Sequence, residues 1–271
     1  MGRGSLFLYQ KITAMNFRKL RALVVEDEPD ARQGLIEGLN ETGEFEVTGW
    51  AGSVKDAFIL IKSQMAEALF LDIMLIGGTA LELITQLRRE EVHIPPMVIV
   101  TGCGDFKYAQ ELHNHFKDEV VHILTKPFWD NWQAEHDKIL DAIYAQQQVK
   151  RLGRPAPVKQ KFINIQDGRQ TYYVNPEDIV MVKTGQKGQG KTEVVFQQHT
   201  LTCGLSLAQL LDKLPFDFVQ INRYEAINLN WLSMVDQADM EVRLRAGSHE
   251  SHPIGSAFFP GLLSMLPNKK Q

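Results

Sequence analysis

The chain has 271 residues, 44% of them hydrophobic, and a formal net charge of −4, enough apolar material for packed cores in two domains of ordinary size. Its two cysteines, Cys103 and Cys203, exclude a disulfide framework and a C-x-x-C metal pair; they point to a reducing compartment and to service as small buried hydrophobes. Ser5-Leu6-Phe7-Leu8-Tyr9 is too short for a signal h-region and no uninterrupted apolar run reaches about 18 residues, so a cytoplasmic chain with no membrane association is expected.

Residues 1–18 form an N-terminal extension that carries no assigned function. From Lys19 short apolar runs alternate with amphipathic stretches: Leu20 to Val25, Pro29 to Leu39, Phe45 to Ala51, Val54 to Met65, Ala68 to Leu71 and Ala80 to Arg89. Met97 to Thr101, Phe106 to Phe116, Val120 to Leu124 and Trp129 to Gln147 continue the series. Strand and helix repeated five times predict an α/β domain over residues 19–145, a parallel sheet with right-handed crossovers and both faces covered. Residues 146–160, with Lys150-Arg151, Gly153 and prolines 155 and 157, read as an extended linker. Residues 161–271 are mainly β, with helices expected only at Leu205 to Leu214 and Ala257 to Leu266.

In a parallel sheet the ends of successive strands lie along one edge, so Glu26-Asp27, Asp72 and Lys126-Pro127 converge there. A carboxylate attacks a phosphoryl group poorly unless its charge is offset, because the incoming oxygens are themselves anionic. Asp27, Asp72 and the backbone carbonyl of Met74 would hold Mg²⁺, with Glu26 binding one of the waters that complete the octahedron. Lys126 supplies a positive charge, and Thr101 a hydroxyl able to turn toward a phosphoryl oxygen.

Val24-Val25-Glu26-Asp27-Glu28-Pro29, Leu71-Asp72-Ile73-Met74, Val100-Thr101-Gly102 and Leu124-Thr125-Lys126-Pro127-Phe128 make residues 19–145 resemble a two-component response-regulator receiver domain. The resemblance implies a flavodoxin-like fold, phosphorylation of Asp72 by a sensor histidine kinase, and Mg²⁺ at Glu26, Asp27 and Asp72. Three positions depart from the family: Ile76 where proline is usual, Ala80 where glycine is usual, and Ile123 where an inward-swinging aromatic is usual. Signalling is therefore expected through altered packing of the fourth and fifth helices.

Gly185-Gln186-Lys187-Gly188-Gln189-Gly190-Lys191-Thr192 satisfies the P-loop pattern, which needs a helix to begin at Lys191. Glu193-Val194-Val195-Phe196 is β-branched and aromatic, so a strand is predicted there and the loop reads as a hairpin connection. Phe218 to Leu229, Val242-Arg243-Leu244 and Pro253 to Phe258 resemble the LytTR DNA-binding domain, a mainly β module that inserts loops into successive major grooves as a dimer. That resemblance implies double-stranded DNA as partner, a homodimer on phosphorylation or on DNA, and Asn222 and Arg223 as contacts, with Lys187 and Lys191 adding charge from one loop. Gly255-Ser256 stands where the family usually has Ser-Arg. Residues 161–271 carry eleven Lys or Arg and eleven Asp or Glu, a net charge of zero, whereas phosphate neutralisation usually supplies much of the affinity for DNA. His249 and His252 read as solvated residues without a third ligand.

The expected function is a transcription-controlling response regulator, not an enzyme. The alternative is a receiver-controlled protein-interaction module that has lost DNA recognition, and nucleotide hydrolysis at the glycine-rich loop is a third class.

Overall fold

A computed structural model describes residues 19–102, 106–153, 161–184, 191–215, 217–246 and 250–266. The chain divides into two compact units, one of Lys19–Gln146 and one built from Gln147 onward. No described helix is long and apolar enough to cross a membrane.

The first unit is a five-stranded sheet of β1 (Leu20–Val25), β2 (Phe45–Ala51), β3 (Ala68–Asp72), β4 (Met97–Thr101) and β5 (Val120–Thr125). The order is β2-β1-β3-β4-β5 and every pairing is parallel. Every residue of β3 and β4 is buried, which is why these segments read as unbroken apolar runs. On one face Val24, Phe70 and Val98 pack against α1 (Pro29–Glu41) and α5 (Phe128–Leu152), through Leu39 and Trp132 among others. On the other, Leu23, Leu71 and Ile99 pack against α2 (Val54–Ser63), α3 (Ala80–Arg89) and α4 (Phe106–His115). Because β2 and β3 flank β1, the chain reverses its direction of travel across the sheet between β1 and β3, and such a reversal opens a crevice at the carboxyl ends of the strands.

Between β3 and α3 the chain makes a short hairpin, Met74–Leu75 paired with Gly78–Thr79. Gly77 and Gly78 adopt φ of 83° and 152°, values that a side chain disfavours. The hairpin is fastened to the loop after β2, since Ile76 N donates to Gly52 O at 3.2 Å and Ile76 O accepts from Val54 N at 3.0 Å. Proline at 76 would have no amide to make the first of these bonds. The departure at Ile76 is thus part of how this loop is held.

The second unit contains a hairpin of β6 (Ile163–Asp167) and β7 (Gln170–Val174). Its main sheet is antiparallel: β8 (Ile179–Thr184), β9 (Thr192–Phe196), β10 (Thr200–Cys203), β11 (Phe218–Asn222) and β12 (Glu225–Asn228), in the order β10-β9-β8-β12-β11. A three-stranded sheet follows, β13 (Leu232–Asp236), β14 (Glu241–Leu244) and β15 (Ser251–Pro253). The helices α6 (Leu207–Leu211) and α7 (Phe259–Met265) are shorter than the apolar periodicity suggested. Cys203 is a free, buried thiol in this core, and Cys103 lies outside the described residues.

α5 runs on to Leu152, so helix occupies the front of the segment read as an extended linker. The cause is burial of its last turns. Gln148 and Arg151 are 3% and 8% exposed, and their side chains hydrogen-bond within the second unit, to Gln220 N and to the carbonyls of Leu211 and Phe218.

Candidate functional site

Two strand ends deliver the acidic residues to the crevice and a third delivers Lys126. β1 stops at Val25, and Glu26 N donates to Ala51 O at 3.0 Å, which holds the Glu26-Asp27 turn against β2. Asp72 is the last residue of β3, and Ile73 N donates to its Oδ1 at 2.7 Å. Lys126 follows β5 directly, with its N bonded to Thr101 O at 2.8 Å. Carboxylate oxygens of Glu26, Asp27 and Asp72 all lie within 4.8 Å of one another. Lys126 Nζ sits between two of them, 2.7 Å from Glu26 Oε2 and 2.7 Å from Asp72 Oδ2.

The electrostatics follow from crowding three anions at a buried strand edge. Burial pushes the Glu26 carboxyl up to about 7, with the Lys126 hydrogen bond holding it down and the Asp72 charge raising it further. Burial works against the charge on Lys126, but its hydrogen bonds to Asp72 and Glu26 outweigh that and raise its pKa. One ammonium faces three carboxylates, so the pocket keeps an excess of negative oxygen. Hard oxygen donors of this kind suit a small divalent cation, for which trans ligands stand about 4.2 Å apart. The 4.8 Å spread of these oxygens needs only small side-chain movements to match.

Met74 lies two residues beyond Asp72 in the short hairpin and is 51% exposed. Thr101 ends β4 and is fully buried; its hydroxyl donates to Gly102 O at 3.3 Å. Ile123 is partly buried against the core face that α2, α3 and α4 cover. Arg32, which sequence reading did not single out, reaches back from α1 to the carbonyls of Glu26 and Asp27 at 2.8 and 3.3 Å. Its sequence signal is indirect: Pro29 starts the helix, which places Arg32 one turn in and beside the acidic turn.

In the second unit several segments meet at one end of the main sheet. Thr184, ending β8, pairs with Thr192, the first residue of β9, and donates its N to Tyr224 O at 2.8 Å. Arg223 and Tyr224 form the β11–β12 turn, and Gly255 N donates to Ile221 O at 2.8 Å. Asn222, Arg223, Lys191, Gly255 and the exposed Ser256 therefore share this end, while Lys187 lies outside the described residues. Asn222 is committed to the turn itself: Oδ1 accepts from Tyr224 N at 2.8 Å, and Nδ2 donates to Pro253 O at 2.8 Å and Glu225 Oε2 at 3.1 Å. The Arg223 guanidinium stands 5.2 Å from the Tyr224 ring. His252 Nδ1 is 3.5 Å from Glu225 Oε1, so this histidine is part of a packed polar group, and His249 lies outside the described residues. No helix begins at Lys191, since β9 follows it, and the Thr192 hydroxyl donates to Leu205 O at 2.6 Å. The phosphate cradle of a P-loop needs that helix.

Residues 22–135 match the response regulator receiver domain family, and residues 169–266 match the LytTr DNA-binding domain family. The chain is a receiver–LytTR response regulator. It is 25% identical over 221 residues to the sensory transduction protein LytT of Bacillus subtilis, covering 80% of this chain and 86% of that protein. An uncharacterized response regulatory protein of Yersinia pestis is 25% identical over 243 residues, covering 85% of this chain and 92% of that one. Among solved structures, the REC domain of AraT, a response regulator from Geobacillus stearothermophilus, aligns with a TM-score of 0.41 at 25% identity, covering 49% of this chain and 99% of that chain. The response regulator thus joins a flavodoxin-like α/β receiver domain to a mainly β LytTR domain, both of which the sequence motifs indicated.

Proposed function

We propose that this response regulator accepts a phosphoryl group on Asp72 from the phosphohistidine of a sensor histidine kinase and thereby controls transcription through its LytTR domain. The observation that carries the reading is the cluster of Glu26, Asp27 and Asp72 carboxylates within 4.8 Å, with Lys126 bridging two of them. Asp27, Asp72 and the carbonyl of Met74 would hold Mg²⁺, and Glu26 would bind one of its waters; the ion supplies charge neutralisation for the incoming phosphoryl oxygens. Asp72 Oδ forms the new O–P bond while the P–N bond of the donor breaks, and the imidazole nitrogen leaves with the bonding pair. Lys126 then pairs with a phosphoryl oxygen, and the Thr101 hydroxyl leaves Gly102 O to donate to another. The added charge biases a dimerising face that includes the fourth and fifth helices.

At the LytTR domain Arg223, Lys187 and Lys191 contact phosphate or base edges, and Asn222 holds the turn that presents Arg223. A dimer places two such ends on paired half-sites of double-stranded DNA. A second reading, a protein-interaction module, draws support from the zero net charge of residues 161–271 and from Gly255-Ser256.

The test is to treat the full-length protein with a small-molecule phosphodonor and Mg²⁺, then follow dimerisation and duplex binding together over a salt titration. Donor-dependent dimers whose DNA affinity falls steeply with salt support transcription control. Phosphorylated protein that dimerises but retains no duplex even near 50 mM salt favours the interaction module.

A further inference from the structure

The acidic turn of the pocket is held from behind by a single cation. Arg32 Nη1 donates to Glu26 O at 2.8 Å and to Asp27 O at 3.3 Å, so one guanidinium nitrogen ties together the two residues whose carboxylates face Asp72. The guanidinium lies 4.2 Å from the centroid of the Trp50 ring, a cation–π distance. On a third side it meets Gly52, where an added Cβ would stand 3.1 Å from Nη1 and 3.5 Å from Glu26 O. Trp50 is 56% exposed, an unusual place for so large an apolar ring, and its contact with Arg32 gives it a role there.

We infer that Arg32 is a positioning residue for cation binding: clamped between Trp50 and Gly52, it fixes the Glu26-Asp27 backbone so that both carboxylates point into the pocket. The guanidinium bonds to the main-chain carbonyls of these residues and not to their carboxylates, whose oxygens stay available as ligands. Arg32 itself touches neither the cation nor the phosphoryl group. Backbone carbonyls whose partner is lost turn toward water, and the carboxylates attached to the same residues lose their preset aim; supporting residues of this kind typically change metal affinity by about 10–100-fold. The inference rests on the reading of this pocket as a Mg²⁺ site.

Calorimetric titration of the full-length protein with MgCl₂, without phosphodonor, tests it. If wild type takes up no Mg²⁺, the reading of the pocket fails before Arg32 is tested. Given wild-type binding, Arg32→Ala is expected to weaken Mg²⁺ affinity at least about tenfold, and Arg32→Lys, with one donor group left, to fall between the two. Trp50→Phe, which keeps an aromatic face, should stay near wild type, whereas Trp50→Ala and Gly52→Ala should weaken binding. Arg32→Ala with Trp50→Ala should be no weaker than Arg32→Ala alone, because both act through one clamp. In phosphorylation kinetics the Mg²⁺ concentration for half-maximal rate should rise while the rate at saturating Mg²⁺ recovers. Wild-type Mg²⁺ affinity in folded Arg32→Ala overturns the inference, as does a lowered saturating rate at unchanged affinity. Should Arg32→Ala fail to fold, unchanged affinity in both Trp50→Ala and Gly52→Ala overturns it equally.

Discussion

Replacing Arg151 by methionine should destabilise the LytTR unit. β11 is the outer strand of the main sheet, so among the described residues one row of its backbone groups has no strand partner, and an uncapped edge of this kind is a liability. The end of α5 covers it with side chains: Gln148 Oε1 accepts from Gln220 N, Arg151 Nη2 donates to Phe218 O, and Arg151 Nη1 donates to Leu211 O at 3.0 Å. Burial depresses the Arg151 pKa, partly offset by Asp212, so the charge is held there at some electrostatic cost. Removing it orphans two buried carbonyls at about 1–3 kcal/mol each and regains part of the guanidinium's desolvation penalty, a net loss of about 2–4 kcal/mol. For a unit of this size that lowers Tm by roughly 10 °C. Calorimetry of the full-length variant should show the second unit's transition moved and the receiver's unmoved. A shift within about 0.5 kcal/mol of wild type, the range of ordinary surface substitutions, would refute the edge-capping argument.

Gly78→Ala places a Cβ 2.4 Å from Glu82 Oε2 at a φ of 152°, so it should break the Thr79–Glu82 capping box and lower receiver stability by about 1–2 kcal/mol in urea titration. Lys126→Met removes the ammonium that competes for Glu26 and Asp72; Mg²⁺ affinity should rise about tenfold while phosphoryl acceptance slows, and equal affinity in both proteins would count against the competition. Glu225 is pushed up by burial, but hydrogen bonds from His252 and Asn222 and the charge on Lys183 bring its folded pKa below the usual 4.5. A depressed carboxyl contributes stability above its unfolded pKa and loses it as pH falls through the folded one. The stability gap between wild type and Glu225→Gln should therefore be full near neutral pH and close below about 4.5; a gap constant down to pH 3 would contradict it.

What could be read from the sequence depended on where each residue's partners lie. β3 and β4 are buried on both faces, so their apolar runs announce a parallel sheet, and the carboxyl ends of those runs locate Asp72 and Thr101 directly. β10, β13 and β15 have partly exposed, polar sequences that carry no such signal, and they form through pairings set by neighbours. Lys150-Arg151 before prolines 155 and 157 reads as solvated linker; Arg151 is buried because carbonyls 60 and 67 residues away accept from it. Asn222 sits where base contacts were expected from the motif, but only the three-dimensional turn reveals that its amide bonds Tyr224, Glu225 and Pro253. Arg32 shows the same limit, since its role depends on Trp50 arriving from the neighbouring strand and Gly52 from the loop that follows it.

Peptide mass spectrometry of the full-length protein after brief exposure to a small-molecule phosphodonor and Mg²⁺ probes the account most directly. It predicts one phosphoryl group, on Asp72, dependent on the ion and absent from Asp72→Asn. A folded wild-type protein that remains unmodified at Asp72, or that carries the group on another residue, would contradict it.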